Sequence, residues 1–489
     1  MAEKTKFRLL RKRLIFRLLA VLLGLTPLFG FELLLRAIDW HASRPEYRPV
    51  VEFIDPQSLF VRDETKGEYR IRDQRLVYFR PQSFPIVKSD RTFRIFCLGG
   101  STVQGRPYAV ETSFTTWMRI ALDEIAPERN WEVINCGGVS YASYRLQPIL
   151  EEVLNYQPDL ILLYTGHNEF LEERTFGHLK PIRENFQFLP RLLASMKTFE
   201  FLNQHRDRKN NSLEPHQQLP SEVDAVLDYE RGIEYYQRDS VWRQGVQDQF
   251  RTNIRNLILD CREKEVPVIL YNPVRNLRDC PPFKSLDSAG LTNQQQHQIE
   301  SLRVQLQQHP ELSETLLQNM LALNPEQAGY HFLLAQELLG HQELELALQH
   351  FVFACDEDIC PLRILSSMQQ DLKIIAAEFD LPLIDIAELF AELSPTKIPG
   401  DNLLLDHVHP TIAGHQQIAL KTIEIFAREG FLPQSPDKKT RKIIERKYVK
   451  QMESLDAAYF EDGHQRLKNL QAWAAGRGDK IREQAPGIN

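Results

Sequence analysis

Four short runs of this chain hold the residue types that acyl transfer requires. Gly99-Gly-Ser-Thr102 ends a short apolar run and presents the hydroxyl of Ser101. Asn135-Cys-Gly-Gly-Val-Ser140 follows a second apolar run, and Tyr164-Thr-Gly-His-Asn-Glu169 closes a third with a glycine beside a side-chain amide. Asp406-His-Val-His-Pro410 sets a carboxylate three residues before a histidine, and Thr411-Ile-Ala-Gly-His415 then opens an apolar helix. A serine hydroxyl is a poor nucleophile until a base removes its proton. Histidine does this near neutral pH, and a carboxylate fixes its tautomer and steadies the imidazolium. Backbone N–H groups on glycine turns and a positioned amide then meet the charge that develops on the carbonyl oxygen. Taken alone, Gly-Gly-Ser-Thr reads as an ordinary turn and helix cap. Its three companions make it one corner of a site.

Among the histidines, His409 has the Asp-x-x-His-Pro setting of a base. His167 and His407 read as its neighbours, and His415 belongs to the following helix. The histidines between 407 and 415 lack a third ligand, so no metal is expected, and no cofactor is implied.

These runs need a frame that brings them together. From residue 92 onward, short continuous apolar segments alternate with helical periodicity. Strands are predicted over Phe93–Leu98, Trp131–Asn135, Leu160–Tyr164, Val266–Tyr271 and Leu381–Asp385. Helices are predicted over Phe114–Ile125, Tyr144–Leu154, Phe250–Lys264 and Asp371–Phe379. The alternation predicts a parallel sheet covered by helices on both faces. Ligands of such sheets bind beyond the carboxyl ends of the strands, where the first three runs would converge.

Other segments extend this core. Residues 41–90 are rich in arginine, proline and aromatics and predict a hairpin or two wrapping the domain that follows. Residues 203–224 read as a polar loop. Residues 290–360 are helical, and Ala335, Leu338, Gly340, Ala347, Phe351 and Ala354 have the offsets of one tetratricopeptide-type hairpin, with Leu312–Leu323 beside it. Such an insertion either packs on the catalytic domain or offers a protein partner a surface. From about 436 the tail is basic and then amphipathic through Tyr459, Leu467, Leu470 and Trp473. It suits either a helix on the domain or contact with an anionic membrane surface.

At the other end, Lys4, Lys6, Arg8, Arg11, Lys12, Arg13 and Arg17 precede an apolar run. Leu14–Leu35 is long enough to span a bilayer, which needs about 20 residues. No small-x-small cleavage site follows it. The cationic leader predicts a single-pass anchor with a cytoplasmic N-terminus and the remainder extracytoplasmic.

The 489 residues are 43% hydrophobic and carry a net charge of -7, which supports a large core and argues against a nucleic-acid partner. The six cysteines form no Cys-x-x-Cys pair, which disfavours a zinc ribbon. Cys355 and Cys360 could bridge only if the backbone turns between them.

In order and strand context, the four runs resemble the blocks of the SGNH (GDSL-like) hydrolase family, over roughly residues 92–175 and 260–425. The resemblance implies an α/β fold, a flavodoxin-like three-layer parallel sheet, here with a helical insertion and an N-terminal transmembrane helix. It implies Ser101 as nucleophile, His409 as general base and Asp406 as the residue that orients it. The oxyanion hole would comprise the Ser101 N–H, the Asn168 amide and an N–H of the second block. There the family glycine falls on Ser140 without a gap, or on Gly138 if the alignment slips by two. Gly100 stands where the family carries aspartate.

The resulting organisation is a leader and anchor (1–37), a juxtamembrane segment (38–91), a hydrolase domain in two parts (92–289 and 361–432), the helical insertion (290–360) and a charged tail (433–489). The expected activity is that of a membrane-anchored serine esterase acting through an acyl-serine on an ester of a carbohydrate or lipid. The alternatives are an O-acyltransferase of cell-envelope polysaccharide, or an inactive domain of this type that presents its helical hairpin to partners.

Overall fold

The computed structural model describes residues 51–54, 57–172, 217–220, 223–228 and 232–477. The chain divides into two compact units, residues 1–52 with 175–219, and 53–174 with 220–489. The anchor expected over Leu14–Leu35 and most of the loop expected over 203–224 lie outside the described residues. Among the described residues no helix is long and apolar enough to cross a membrane.

In the larger unit the five expected strands are present as β5 (Thr92–Gly99), β6 (Asn130–Gly137), β7 (Leu160–Tyr164), β9 (Val268–Asn272) and β10 (Leu383–Asp385). They pair in parallel in the order β10-β9-β7-β5-β6. Counted along the chain this is the 2-1-3-4-5 order of flavodoxin-like sheets, whose switch point lies between the first and third strands. Their register places Gly99 beside both Gly137 and Tyr164, so three strands end level on one rim.

Strand side chains alternate between faces, and the two faces have different covers. Ile95, Cys97, Leu160, Leu162, Ile269, Tyr271 and Ile384 share one cluster with Phe114, Trp117, Ile418 and Phe426. These last four lie on α2 (Phe114–Ile125) and α11 (Ile412–Arg428). The opposite face meets α3 (Ser143–Val153) and α9 (Ser366–Glu378), and α4 (Ser240–Glu263) packs on both of these helices. Burying each large apolar side chain in such layers contributes about 1.5–3 kcal/mol. Helix α4 begins ten residues before the expected Phe250, because its first turns are too polar to show a periodic stripe.

Ahead of the first central strand, β2 (Phe60–Asp63), β3 (Glu68–Ile71) and β4 (Ser83–Pro85) form an antiparallel sheet. It packs through Phe60 and Phe84 edge-on to Phe96 of β5. Buried Arg94 ties the two sheets, with Nε 2.6 Å from Glu132 and the guanidinium donating to the carbonyls of Pro85 and Tyr156. Separately, β1 (Val51–Ile54) pairs with β8 (Gln217–Pro220).

Between β9 and α9 lie four helices, α5 (Asn293–Gln308), α6 (Ser313–Leu323), α7 (Ala328–Gly340) and α8 (Leu344–Asp356). Ala335, Leu338, Ala347 and Phe351 are buried in the α7–α8 seam, as their spacing predicts. Gly340 meets open space instead. The cysteines, including Cys355 and Cys360, are all free thiols. The tail forms α12 (Lys438–Glu453) and α13 (Ala457–Arg477). Ile444 and Tyr448 of α12 join the main core, and the Tyr448 hydroxyl donates to the Trp117 carbonyl.

Candidate active site

Ser101 stands at the tip of β5 as the first residue of a single helical turn, α1 (Ser101–Gln104). Gly99 allows the strand end to press against its neighbour, since a Cβ there would lie 2.1 Å from the Tyr164 carbonyl. The turn is tied to β6 by Asn135, whose amide donates to the Val103 carbonyl at 2.6 Å and to Thr115 Oγ1 at 2.9 Å. Asn135 therefore braces the turn that carries Ser101.

Across the rim, Ser101 Oγ lies 2.7 Å from His409 Nε2, and His409 Nδ1 lies 2.7 Å from Asp406 Oδ2. The other Asp406 oxygen accepts the N–H groups of Val408 and His409, both at 2.9 Å. With Nδ1–H donating to the carboxylate, Nε2 presents a lone pair to the serine hydroxyl. Burial opposes ionisation of Asp406, yet His409, His407 and these donors together hold its carboxyl well below the usual range. The three side chains are buried, with Ser101 8% and His409 3% exposed, so water does not dilute their electrostatics.

The loop carrying Asp406 and His409 is held at both ends. Thr411 caps α11 by accepting the Gly414 N–H at 3.0 Å. Asn276, on the segment after β9, donates its N–H to the His407 carbonyl at 2.9 Å and its amide to the Asp406 carbonyl at 3.0 Å. Sequence reasoning missed Asn276. Its signal was its place just beyond the fourth central strand, on the same rim.

The neighbouring histidines are buried, and burial lowers each of them. Burial drives His167 well below its ordinary value, and its Nδ1 accepts the Ile364 N–H at 3.2 Å. Burial also takes His407 down to about 4, although Asp406 lies beside it. His415 is carried down to about 3 by burial; it stacks on Phe114 and accepts that residue's N–H at 3.2 Å.

The opposite wall holds the donors. The Asn168 amide donates to the Tyr141 carbonyl at 3.0 Å and sits against Gly100. Its loop is anchored by Glu169, which accepts the backbone N–H of Ser143 at 2.7 Å and its hydroxyl at 2.8 Å. In the second-block turn the N–H groups of Gly138, Val139 and Tyr141 go to the carbonyls of Gly99, Tyr78 and Gly138. This takes Gly138 out of the candidate donors, because its N–H is spent closing the turn. Ser140 adopts φ 64°, the left-handed conformation that a glycine ordinarily fills, and its N–H has no such acceptor among the described residues. The Ser101 N–H lies in the first turn of α1, where no helical acceptor exists. The Ser101 and Ser140 N–H groups thus have no backbone acceptor among the described residues, and the Asn168 amide lies against Gly100.

A cleft of about 350 Å³ lined by Gln57, Arg75, Tyr141, Arg145 and Glu152 contains none of the triad residues. Among the described residues, no group of three histidine, cysteine or acidic side chains is arranged to hold a metal ion.

The fold and site define a doubly wound α/β protein with a serine–histidine–aspartate relay at its switch point. No known family profile matches the chain, and no curated protein matches it in sequence. Solved structures similar to it include the acetyl xylan esterase AlAXEase, at 12% identity and TM-score 0.32, covering 68% of this chain and 98% of that one. Axe2, an acetylxylan esterase from Geobacillus stearothermophilus, is 14% identical with TM-score 0.32, covering 69% of this chain and 94% of that one. A protein of the G-D-S-L family from Desulfitobacterium hafniense DCB-2 is 10% identical with TM-score 0.30, covering 68% and 98%. Similarity at this level leaves the chemistry to be read from the site itself.

Proposed function

We propose that this chain is a serine esterase of the SGNH type. The observation that carries the reading is the unbroken relay from Ser101 Oγ through His409 to Asp406, with 2.7 Å at each step. Ser101 Oγ attacks the ester carbonyl as its proton passes to His409 Nε2. The N–H groups of Ser101 and Ser140 and the Asn168 amide stabilise the oxyanion. The intermediate collapses, and the alcohol leaves with the proton from His409. Water then attacks the acyl-serine and gives its proton to His409. The carboxylic acid departs as Ser101 Oγ recovers that proton. If a sugar hydroxyl replaces water, the same steps give acyl transfer.

The basic leader and the apolar run Leu14–Leu35 support an anchored enzyme with its catalytic domain outside the cytoplasm. Protease accessibility in intact cells and in inverted vesicles tests that orientation.

The test of the chemistry is labelling of the full-length protein with a fluorophosphonate. Wild type is expected to label at Ser101, and Ser101→Ala to remain unlabelled. A folded wild-type protein that resists labelling would overturn the esterase reading.

A further inference from the structure

Near the turn that carries Ser101, three arginines from distant parts of the chain come within electrostatic reach of one another. Arg106 follows the nucleophile turn and donates its backbone N–H to the Ser101 carbonyl at 3.1 Å. Arg80 follows Tyr78 and Phe79, and the Tyr78 carbonyl accepts both the Val139 N–H and the Gln104 amide. Arg466 comes from α13, whose Gly463 lies so close to Tyr108 that a Cβ would stand 2.1 Å from the ring. The helix is fastened there by the Tyr459 hydroxyl, which accepts the Ala109 N–H at 3.1 Å and meets Thr112 Oγ1 at 2.8 Å. Arg466 Nε donates to the Pro107 carbonyl at 2.6 Å, one residue from Arg106.

All three side chains are partly buried, and none has a carboxylate within ion-pair distance among the described residues. Arg106 Nε is buried without any hydrogen-bond partner. Arg80 is held below its ordinary value first by burial and then by the charge of Arg466, and Arg106 first by burial and then by the charges of Arg80 and Arg466. The carboxylates within electrostatic reach are Glu111 and Asp462 for Arg80, and Asp406, already engaged with His409, for Arg106. Partly desolvated cations without counterions raise the energy of a fold unless something anionic joins them. Guanidinium forks match the planar oxygens of carboxylate and phosphate.

We propose that Arg80, Arg106 and Arg466 form an anion subsite next to Ser101, and that the substrate is an ester bearing a carboxylate or phosphate group close to the scissile bond. The inference rests on the esterase reading and names the substrate's charge. The C-terminal helix is then one wall of the binding site, and its Arg466 is a specificity residue.

The test is binding of unreactive saccharides to full-length protein by calorimetry. The probes are an oligogalacturonate, a hexose phosphate and a neutral xylooligosaccharide. At least one anionic probe is expected to bind about tenfold or more tighter than the neutral one, and to weaken as salt rises from 0.05 to 0.5 M. Which anionic probe binds separates carboxylate from phosphate. Arg106→Gln and Arg466→Gln are each expected to reduce that affinity about tenfold. Arg466 lies far from the sheet core, so its variant carries the test if Arg106→Gln does not fold. Equal binding of all probes, binding of none, or anion binding unchanged by the arginine variants would overturn the proposal. Fluorophosphonate labelling of the same wild-type sample reports on the esterase reading separately. Anion binding without labelling would sink that reading and leave the subsite standing.

Discussion

The Asn168 amide nitrogen occupies the space in which a side chain on Gly100 would begin, since a Cβ at that position would stand 2.8 Å from Asn168 Nδ2 and 3.3 Å from the Tyr141 carbonyl. Gly100 is where the resembling family carries aspartate, and in this chain its bareness lets the amide approach the nucleophile turn. Gly100→Ala is expected to displace Asn168 and lower kcat about as much as Asn168→Ala, which should cost about 10²–10³-fold. Because the two changes remove the same donor, the double variant should be little worse than either single one. Steady-state kinetics on one ester substrate checks this, and multiplicative losses would sink the coupling.

Asp406→Asn should keep the loop folded while disabling it. An asparagine oxygen can still accept the N–H groups of Val408 and His409, now bonded at 2.9 Å. Its NH₂ would face His409 Nδ1 and favour the tautomer whose Nε2 carries hydrogen. The expected loss in kcat is about 10³–10⁴-fold, with an unchanged melting temperature. A loss of tenfold or less would show that Asp406 does not set the tautomer.

At Ser140 the backbone matters more than the hydroxyl. Ser140→Gly suits φ 64° and should retain kcat within about threefold. Ser140→Ile places a β-branched residue in the left-handed region, at a cost on the order of 1–3 kcal/mol, and should lower both stability and kcat. Denaturant midpoints and kinetics of the pair test whether the N–H is the contributing group.

Acid should unfold the protein earlier than its carboxylates alone would dictate. His407 and His415 fall to about 4 and about 3 in the fold, so below pH 6.5 the unfolded chain takes up protons that the folded one refuses. Their stabilisation is complete above pH 6.5 and is lost as pH falls toward 4, at about 1.4 kcal/mol per pH unit for each group. His167, lowered by burial, adds to the loss. Buried Asp358, pushed up to about 6, works the other way by binding its proton first in the fold. His331 and His350, also lowered by burial, add to the loss, while Asp123 and Asp401, raised by burial, join Asp358 in opposing it. With five histidines against three aspartates, urea midpoints should fall between pH 6.5 and 4.5. His415→Gln should flatten that slope, and an unchanged slope would refute the assignment.

How much of this was legible in the sequence depended on distance along the chain. The central strands are continuous apolar runs, and each lies within a few residues of its expected place. Asp406 and His409 are three apart, so one local turn brings them together. The approach of Asn168 to Gly100 follows from parallel strands ending on one rim, which the alternating pattern implied; the order of the strands was not legible. Arg80, Arg106 and Arg466 have no such pattern, because their meeting depends on where the terminal helix docks. The choice between Gly138 and Ser140 was equally hidden. It turns on which N–H closes the turn against Gly99, a matter of backbone angles that residue types do not display.

Ser101 and His409 touch across 308 residues of chain, with the α5–α8 insertion lying between them. A ribosome that has released the nucleophile turn must still make most of the protein before the base exists. On the proposed esterase reading, every truncated product ending before Asp406 lacks the base and its orienting carboxylate, however well its first strands have folded. The contact also has a very high sequence separation, the kind whose loop-closure cost slows folding. If Ser101 and His409 act as proposed, catalytic competence is acquired only once the chain beyond the insertion has been made.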